Sequence, residues 1–312
     1  MTMRATYRPL GTRIWVLLLI IAAPVIVRAQ MRPLYSQYLF NPLVINPAYA
    51  GADDALNLTV AARSQWSGLE GAPETFTFSA HMPFPRKRLG VGVVGIGDRI
   101  GVHKSLSLQA VAAYHLRVGP ETTLSFGLQG GFRNQRADYL LLDGNAAGDP
   151  RIPAAAFSEN HFDIGAGLFL KSKRFQAGIS IPGFIPPKWA VNDSITVNPG
   201  GGTINAFSRL TVTLNDALDF VPSALVMYTK GISPMVHLNG GVLIYDVLFT
   251  GVSWRVDESM GVLIRASVTP QLNVGYSYDF ATGPLAQVAG ASHEITINYL
   301  FRFSRHKISS PR

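Results

Sequence analysis

The last patterned stretch of the chain, Ser292 to Phe303, reads S-H-E-I-T-I-N-Y-L-F-R-F, and it limits what everything before it can fold into. Ile295, Ile297, Tyr299, Phe301 and Phe303 hold one set of alternate positions. Glu294, Thr296, Asn298 and Arg302 hold the other, with Leu300 an apolar intruder. Successive side chains of a strand point to opposite faces, so this is a strand with one apolar and one polar side. We read it as the closing strand of an all-β fold, a transmembrane antiparallel up-and-down β-barrel, with the aromatic face toward lipid and the polar face toward the lumen. Similar strands must then lie upstream.

Composition agrees with that demand. The 312 residues are 47% hydrophobic and 15% charged, yet the longest apolar run, Ile14 to Val27, falls short of the ~20 residues a spanning helix needs. Hydrophobicity dispersed in this way suits a barrel. The run itself reads as the core of a signal peptide over residues 1–29. Arg4, Arg8 and Arg13 form the basic region, Val27 and Ala29 the small-residue positions, and cleavage is expected before Gln30. An uncleaved anchor fits less well, because Pro24 interrupts a run that is already short. Removing residues 1–29 takes away four arginines and no acidic residue, so the net charge falls from +8 to +4. The basic balance is therefore partly a targeting feature and implies no nucleic-acid partner. With no cysteine, the chain has no disulfide, no thiolate metal site and no cysteine-linked lipid anchor.

Fourteen candidate strands follow Ala55: Leu56 to Gln65, Thr75 to Met82, Leu89 to Asp98, Lys104 to Leu116, Thr122 to Arg133, His161 to Lys171, Arg174 to Ile181, Phe207 to Asn215, Phe220 to Tyr228, Met235 to Ile244, Val247 to Arg255, Gly261 to Thr269, Gln271 to Phe280 and the closing strand. Most are about ten residues long, as a tilted membrane strand requires. Pro222 is expected at the start of its strand, near a rim, because proline cannot donate to a ladder. Short connections follow the even strands. The long ones, Ala137 to Asn160, Pro182 to Ala206 and Ala281 to Ala291, follow odd strands, which places them outside the cell and both strand termini on the periplasmic side. Residues 54–303 are thus the barrel, and 304–312 a basic periplasmic tail.

Residues 30–53 are different: Pro33, Pro42 and Pro47 forbid a regular ladder, yet the segment is too apolar for a solvated linker. It is expected to pack in the lumen or at the periplasmic mouth. Tyr35, Gln37, Tyr38, Phe40, Asn41, Pro42, Asn46, Pro47, Tyr49 and Gly51 are its candidates for plugging or partner contact. The charges expected in the lumen are Arg63, Arg133, Asp163, Lys171, Asp279, Glu294 and Arg302, with His81 and His161 beside them. They either pair with one another in a wet interior or hold the segment as a plug. A barrel of about fourteen strands leaves an open channel and a filled lumen both available.

Chemical motifs carry less. Gly90-x-Gly92-x-x-Gly95 matches a dinucleotide fingerprint in letters, but a proline-basic turn precedes it and no helix follows, so glycines that let a strand curve explain it better. Asp143-x-Asn145 with Gly148 and Asp149 resembles the start of a calcium loop, but Ala147 and Ala154 stand where ligands are needed. The seven histidines are scattered, none at i, i+4 spacing, and His293 falls at a rim. No catalytic, metal or cofactor site is expected, and a membrane hydrolase is a distant third reading.

Several motifs are more specific. Tyr35 to Gly51, Y-S-Q-Y-L-F-N-P-L-V-I-N-P-A-Y-A-G, resembles the mature N-terminus of the PorP/SprF family of type IX secretion outer-membrane proteins of Bacteroidota. So do Arg63-x-Gln65-Trp66-x-Gly68 with Gly71-Ala72-Pro73, the run Phe78 to His81, Gly97 to Gly101, the segment around Phe184, and Ser292 to Ile295. The resemblance runs from Gln30 to Phe303. It implies an outer-membrane barrel without enzymatic activity that assists secretion or surface anchoring of cargo such as gliding adhesins. It also implies partnership with other type IX components, periplasmic ring proteins or lipoproteins. The loop Pro186 to Ala206 and the tail Ser304 to Arg312 depart from the family pattern, so the cargo is left unassigned. The alternative is a passive porin or small-solute transporter.

Overall fold

The computed structural model describes residues 36–139, 157–184, 189–192, 195–197, 202–282 and 284–301. Fourteen strands form one closed antiparallel barrel. In chain order they are β1 (Leu56–Ser64), β2 (Glu74–Phe84), β3 (Leu89–Ile100), β4 (His103–Arg117), β5 (Thr123–Ala137), β6 (Phe157–Lys171), β7 (Phe175–Ile181), β8 (Ile204–Leu210 continued by Val212–Asn215), β9 (Leu218–Tyr228), β10 (Met235–Ile244), β11 (Leu248–Arg255), β12 (Ser259–Ser267), β13 (Leu272–Ala281) and β14 (Ser292–Phe301). Each strand pairs with its neighbours in sequence, and β14 returns to β1 with Leu56 opposite Phe301 and Arg63 opposite Glu294. Closure satisfies the N–H and C=O groups that an open edge would present to hydrocarbon.

The two faces of the wall reverse the usual order of a water-soluble protein. On β2, Thr75, Thr77, Ser79 and His81 are buried while Phe76 is 55% exposed. On β5, Leu128 and Phe132 are exposed at 68% and 65% while Ser125 is buried. Polar side chains thus face the interior along these strands, joined there by a buried apolar cluster that includes Leu43, Ile45, Val94, Val111, Phe169 and Phe207, while a band of Phe, Tyr, Leu, Ile and Val faces outward. In water such a band would be an aggregation surface; in a bilayer it is the lipid-facing belt.

Turn chemistry closes the short connections. Tyr245 and Asp246 both have positive φ, at 49° and 56°, and Val247 N–H donates to Ile244 C=O at 2.9 Å. This is the two-residue turn whose twist matches paired strands. The connections after β5, β7 and β13 are the longest, and all lie at the opposite end of the barrel. We call the two ends the short-turn end and the long-loop end.

Three details differ from the pattern-based reading. Strands β6 and β8 begin earlier than alternation suggested, at Phe157 and Ile204. A small separate hairpin, Trp189–Asn192 with Ile195–Val197, lies within the 182–206 loop, too short for a period to register. Pro222 is not at a strand start: it lies inside β9, opposite Gly240 of β10. On its other side, the β8 ladder lapses between the pairs Arg209 with Ser223 and Val212 with Phe220, so the missing donor falls where β8 is itself interrupted. Residues 1–29 and 304–312, Tyr35, Arg302, Phe303 and the Asp143 to Ala154 loop lie outside the described residues.

Candidate functional site in the barrel lumen

The segment Ser36 to Ala52 runs inside the barrel, from the long-loop half to the short-turn end where β1 starts. Its prolines shape it. Pro42 and Pro47 open two single-turn 3-10 helices, Pro42–Val44 and Pro47–Tyr49, at positions where a missing N–H costs nothing. Asn46 caps the second by accepting from Ala48 N–H at 2.9 Å, and its amide donates to Leu168 C=O at 2.9 Å on the wall. Ser180 Oγ and Asn205 Nδ2 both donate to Ile45 C=O, at 2.5 Å and 3.0 Å. Tyr38 packs edge-on against Phe207, while its hydroxyl accepts from Asn239 at 2.7 Å and donates to His237 C=O at 3.3 Å. Burial raises the Tyr38 phenol well above its ordinary range, and burial followed by the neighbouring Asp53 does the same for Tyr49.

The wall makes room for this segment with glycine. A Cβ on Gly127 would stand in the Ala48 backbone, one on Gly90 in the Ala50 carbonyl, and one on Gly275 in the Gln37 amide. Gly90 of the Gly90-x-Gly92-x-x-Gly95 run is therefore a close-approach residue, and the run lies wholly within β3.

At the long-loop end the segment is held by a buried ionic cluster. Arg63 Nη1 lies 2.8 Å from Asp279 and 3.1 Å from Glu294. The Glu294 carboxylate accepts from the backbone N–H groups of Ser36 at 2.8 Å and Gln37 at 3.1 Å. Ser36 Oγ donates to Asp279 at 2.5 Å and accepts from Arg63 at 2.7 Å, and Arg255 beside it pairs with Glu258 at 2.7 Å. Hydrogen bonds to charged partners are the strong kind, and two here end on the backbone of the segment rather than on another wall residue.

At the short-turn end the contacts are different. Gly51 N–H donates to His81 Nδ1 at 3.0 Å, which leaves the proton on Nε2, 3.5 Å from Asp53. His115 bridges Ser125 Oγ, at 2.7 Å, and Ala50 C=O, at 3.0 Å. This Ser–His pair lies behind the segment, Ser125 buried and His115 half-buried, with a backbone carbonyl in the place an orienting carboxylate would take. Lys171 Nζ donates to Ala52 C=O at 2.7 Å. Beyond these lies a cavity of about 560 Å³, lined by Phe40, Tyr49, Asp53, Lys171, Arg209 and Arg265 among others.

Of the residues singled out from sequence, Gln37, Tyr38, Asn46, Tyr49 and Gly51 make the contacts just described, and Phe40 packs edge-on against Phe249. Asn41 bonds Ser79 at 3.0 Å. Arg63, Asp279 and Glu294 come together. Arg133 and Asp163 form a separate pair at 3.7 Å, and His161 lies 3.4 Å from Glu159. His293 contacts the Tyr276 hydroxyl at 2.8 Å. Sequence reasoning missed Ser36, His115, Asn205, Arg209, His237, Asn239, Arg255 and Arg265. All but Ser36 lie on strands, where the polar phase of the alternation was their available signal.

These features define a class: an outer-membrane β-barrel whose lumen is occupied by its own N-terminal segment. A family model described as the type IX secretion system membrane protein PorP/SprF matches residues 27–299. The chain belongs to the PorP/SprF family and is a membrane protein of the type IX secretion system. Among solved structures it is similar to the CymD monoaromatic hydrocarbon channel, at 13% identity and a TM-score of 0.51, over 88% of this chain and 95% of that one. It is also similar to the Acinetobacter baumannii outer membrane protein Omp33, at 10% identity and a TM-score of 0.48, over 80% of this chain and 100% of that one. The first likeness is one of barrel fold. No curated protein matches the chain.

Proposed function

We propose that this barrel is a plugged, non-enzymatic accessory or anchoring subunit of type IX secretion, assisting the export or surface retention of cargo such as an adhesin. The observation that carries the reading is the lumen: Ser36 to Ala52 is bonded to the wall from end to end, which suits a scaffold better than a solute path. The short-turn end faces the periplasm, where other secretion components dock, and the long loops face outward. The chain is exported with residues 1–29 as a signal peptide cleaved before Gln30.

Planar-bilayer recording tests the plugged state against the passive porin. Purified protein is expected to show no steady conductance, and large ligand-independent currents would overturn the reading. Affinity purification from gently extracted outer membranes is expected to recover other type IX components; recovery of the barrel alone would remove the partner assignment. Mass spectrometry of the mature chain is expected to find Gln30 at its start, and an intact Met1 would contradict cleavage.

A further inference from the structure

The cavity at the short-turn end contains two guanidinium groups that, among the described residues, no carboxylate pairs with. Five charged side chains line it: Asp53, Asp54, Lys171, Arg209 and Arg265. Asp53 is already engaged, by the Tyr49 hydroxyl at 3.1 Å, Asn57 Nδ2 at 2.6 Å and His81. Lys171 is spent on Ala52 C=O. Asp54 is exposed at the mouth. Arg209 and Arg265 are different: among the described residues neither is in ion-pair contact with a carboxylate. Arg209 Nε is buried without a hydrogen-bond partner among the described residues, and so is Gln176 Oε1 in the same wall. The guanidinium carbon of Arg265 lies over the Phe40 ring, 4.7 Å from its centroid, a cation–π contact that leaves the N–H donors available among the described residues.

We propose that this cavity binds an organic carboxylate, clamped between Arg209 and Arg265, with its apolar part against Leu39, Phe40 and Leu300. The guanidinium fork matches a carboxylate in two parallel hydrogen bonds, and two such groups lining one cavity favour an anion between them. The volume, about 560 Å³, is far larger than an inorganic ion needs and falls within the range of small-molecule and short-peptide sites. The neighbouring apolar side chains select a carboxylate carried on carbon. Such a group is found on a small organic acid or at an acidic residue or chain end of a polypeptide entering from the short-turn side. The site stands whether or not the secretion role does.

The test uses the full chain in nanodiscs, titrated by thermophoresis with two probes: succinate, and a six-residue leucine–aspartate peptide with a free C-terminal carboxylate. The asparagine, amidated form of the peptide serves as the uncharged control. At least one acidic probe is expected to bind saturably, the uncharged peptide at least tenfold more weakly than its acidic form if the peptide binds. Arg209→Gln and Arg265→Gln are each expected to weaken binding of the active probe at least tenfold, with Arg265→Lys retaining part of it. Binding of the peptide alone assigns the site to a polypeptide, and binding of succinate to a small acid. Absence of saturable binding by both probes, or binding that the Gln variants leave unchanged, overturns the proposal. Thermal melting of each variant checks folding. If a Gln variant does not fold, the charge-retaining Arg209→Lys and Arg265→Lys pair is compared with wild type; equal affinity then overturns the clamp.

Discussion

The two ends of the lumen handle buried charge in opposite ways. At the long-loop end Arg63 has two carboxylates, Arg255 has Glu258, and Glu294 also receives two backbone N–H groups of the plug. At the short-turn end Arg209 and Arg265 have no carboxylate in contact among the described residues. Burial explains the contrast. Arg63, Asp279 and Glu294 are almost fully removed from solvent, where an uncompensated charge is costly, so their set must be complete. Arg209 and Arg265 line an open-sided cavity and are only partly buried, so water shares the cost of their charge. The sealed end therefore fastens the plug, and the wet end is free to receive something.

The largest effect should come from breaking the sealed end. Arg63→Ala leaves Asp279 and Glu294 buried without their shared cation, a change expected to cost about 3–5 kcal/mol. Its melting temperature should fall sharply, and bilayer recordings should show openings that the wild type lacks. A variant that melts normally and stays closed would show that the cluster does not fasten the plug.

The middle of the plug is held by shape, and its failures should be smaller. Gly127→Leu puts a side chain where the Ala48 backbone lies, at a cost of about 1–3 kcal/mol. Partial displacement of the plug should then raise conductance without unfolding the wall. Asn46→Ala removes the bond to Leu168 C=O and the cap on Ala48 N–H, worth about 1–2 kcal/mol by chemical denaturation. If Asn46→Ala outweighed Arg63→Ala, the plug would be anchored at its centre instead.

Much of the wall was legible because strand alternation is a local signal: Phe76 and Thr77 face opposite ways for reasons contained in one strand. The apolar, proline-broken segment around Tyr38 was also legible as something that had to be covered. What alternation does not carry is distance in sequence. Ser36 meets Glu294 across 258 residues, and nothing near Ser36 marks it as a hydrogen-bonding partner. Gly90 and Gly127 look like ordinary strand glycines until the plug backbone is set against them. Alternation could mark Arg209 and Arg265 singly as facing the lumen, but their convergence on one cavity follows from barrel closure and from no pattern within either strand.

The smallest expected effect tests the wet end. Arg265→Gln loses a stack on Phe40 worth about 0.5–1 kcal/mol, yet it also removes a positive charge that Arg209 repels. The two terms oppose each other, and no carboxylate is orphaned, because among the described residues none is paired with Arg265. The stability change should therefore stay within about 1 kcal/mol of zero, since loss of an unpaired, partly solvated cation leaves no buried partner behind. Added salt should shrink it further by screening the repulsion. Denaturation of Arg265→Gln beside Arg63→Ala, at low and high salt, reads both ends in one experiment. An equal and salt-insensitive loss in the two variants would mean that the short-turn end is as tightly sealed as the other, and that its arginines serve the fold alone.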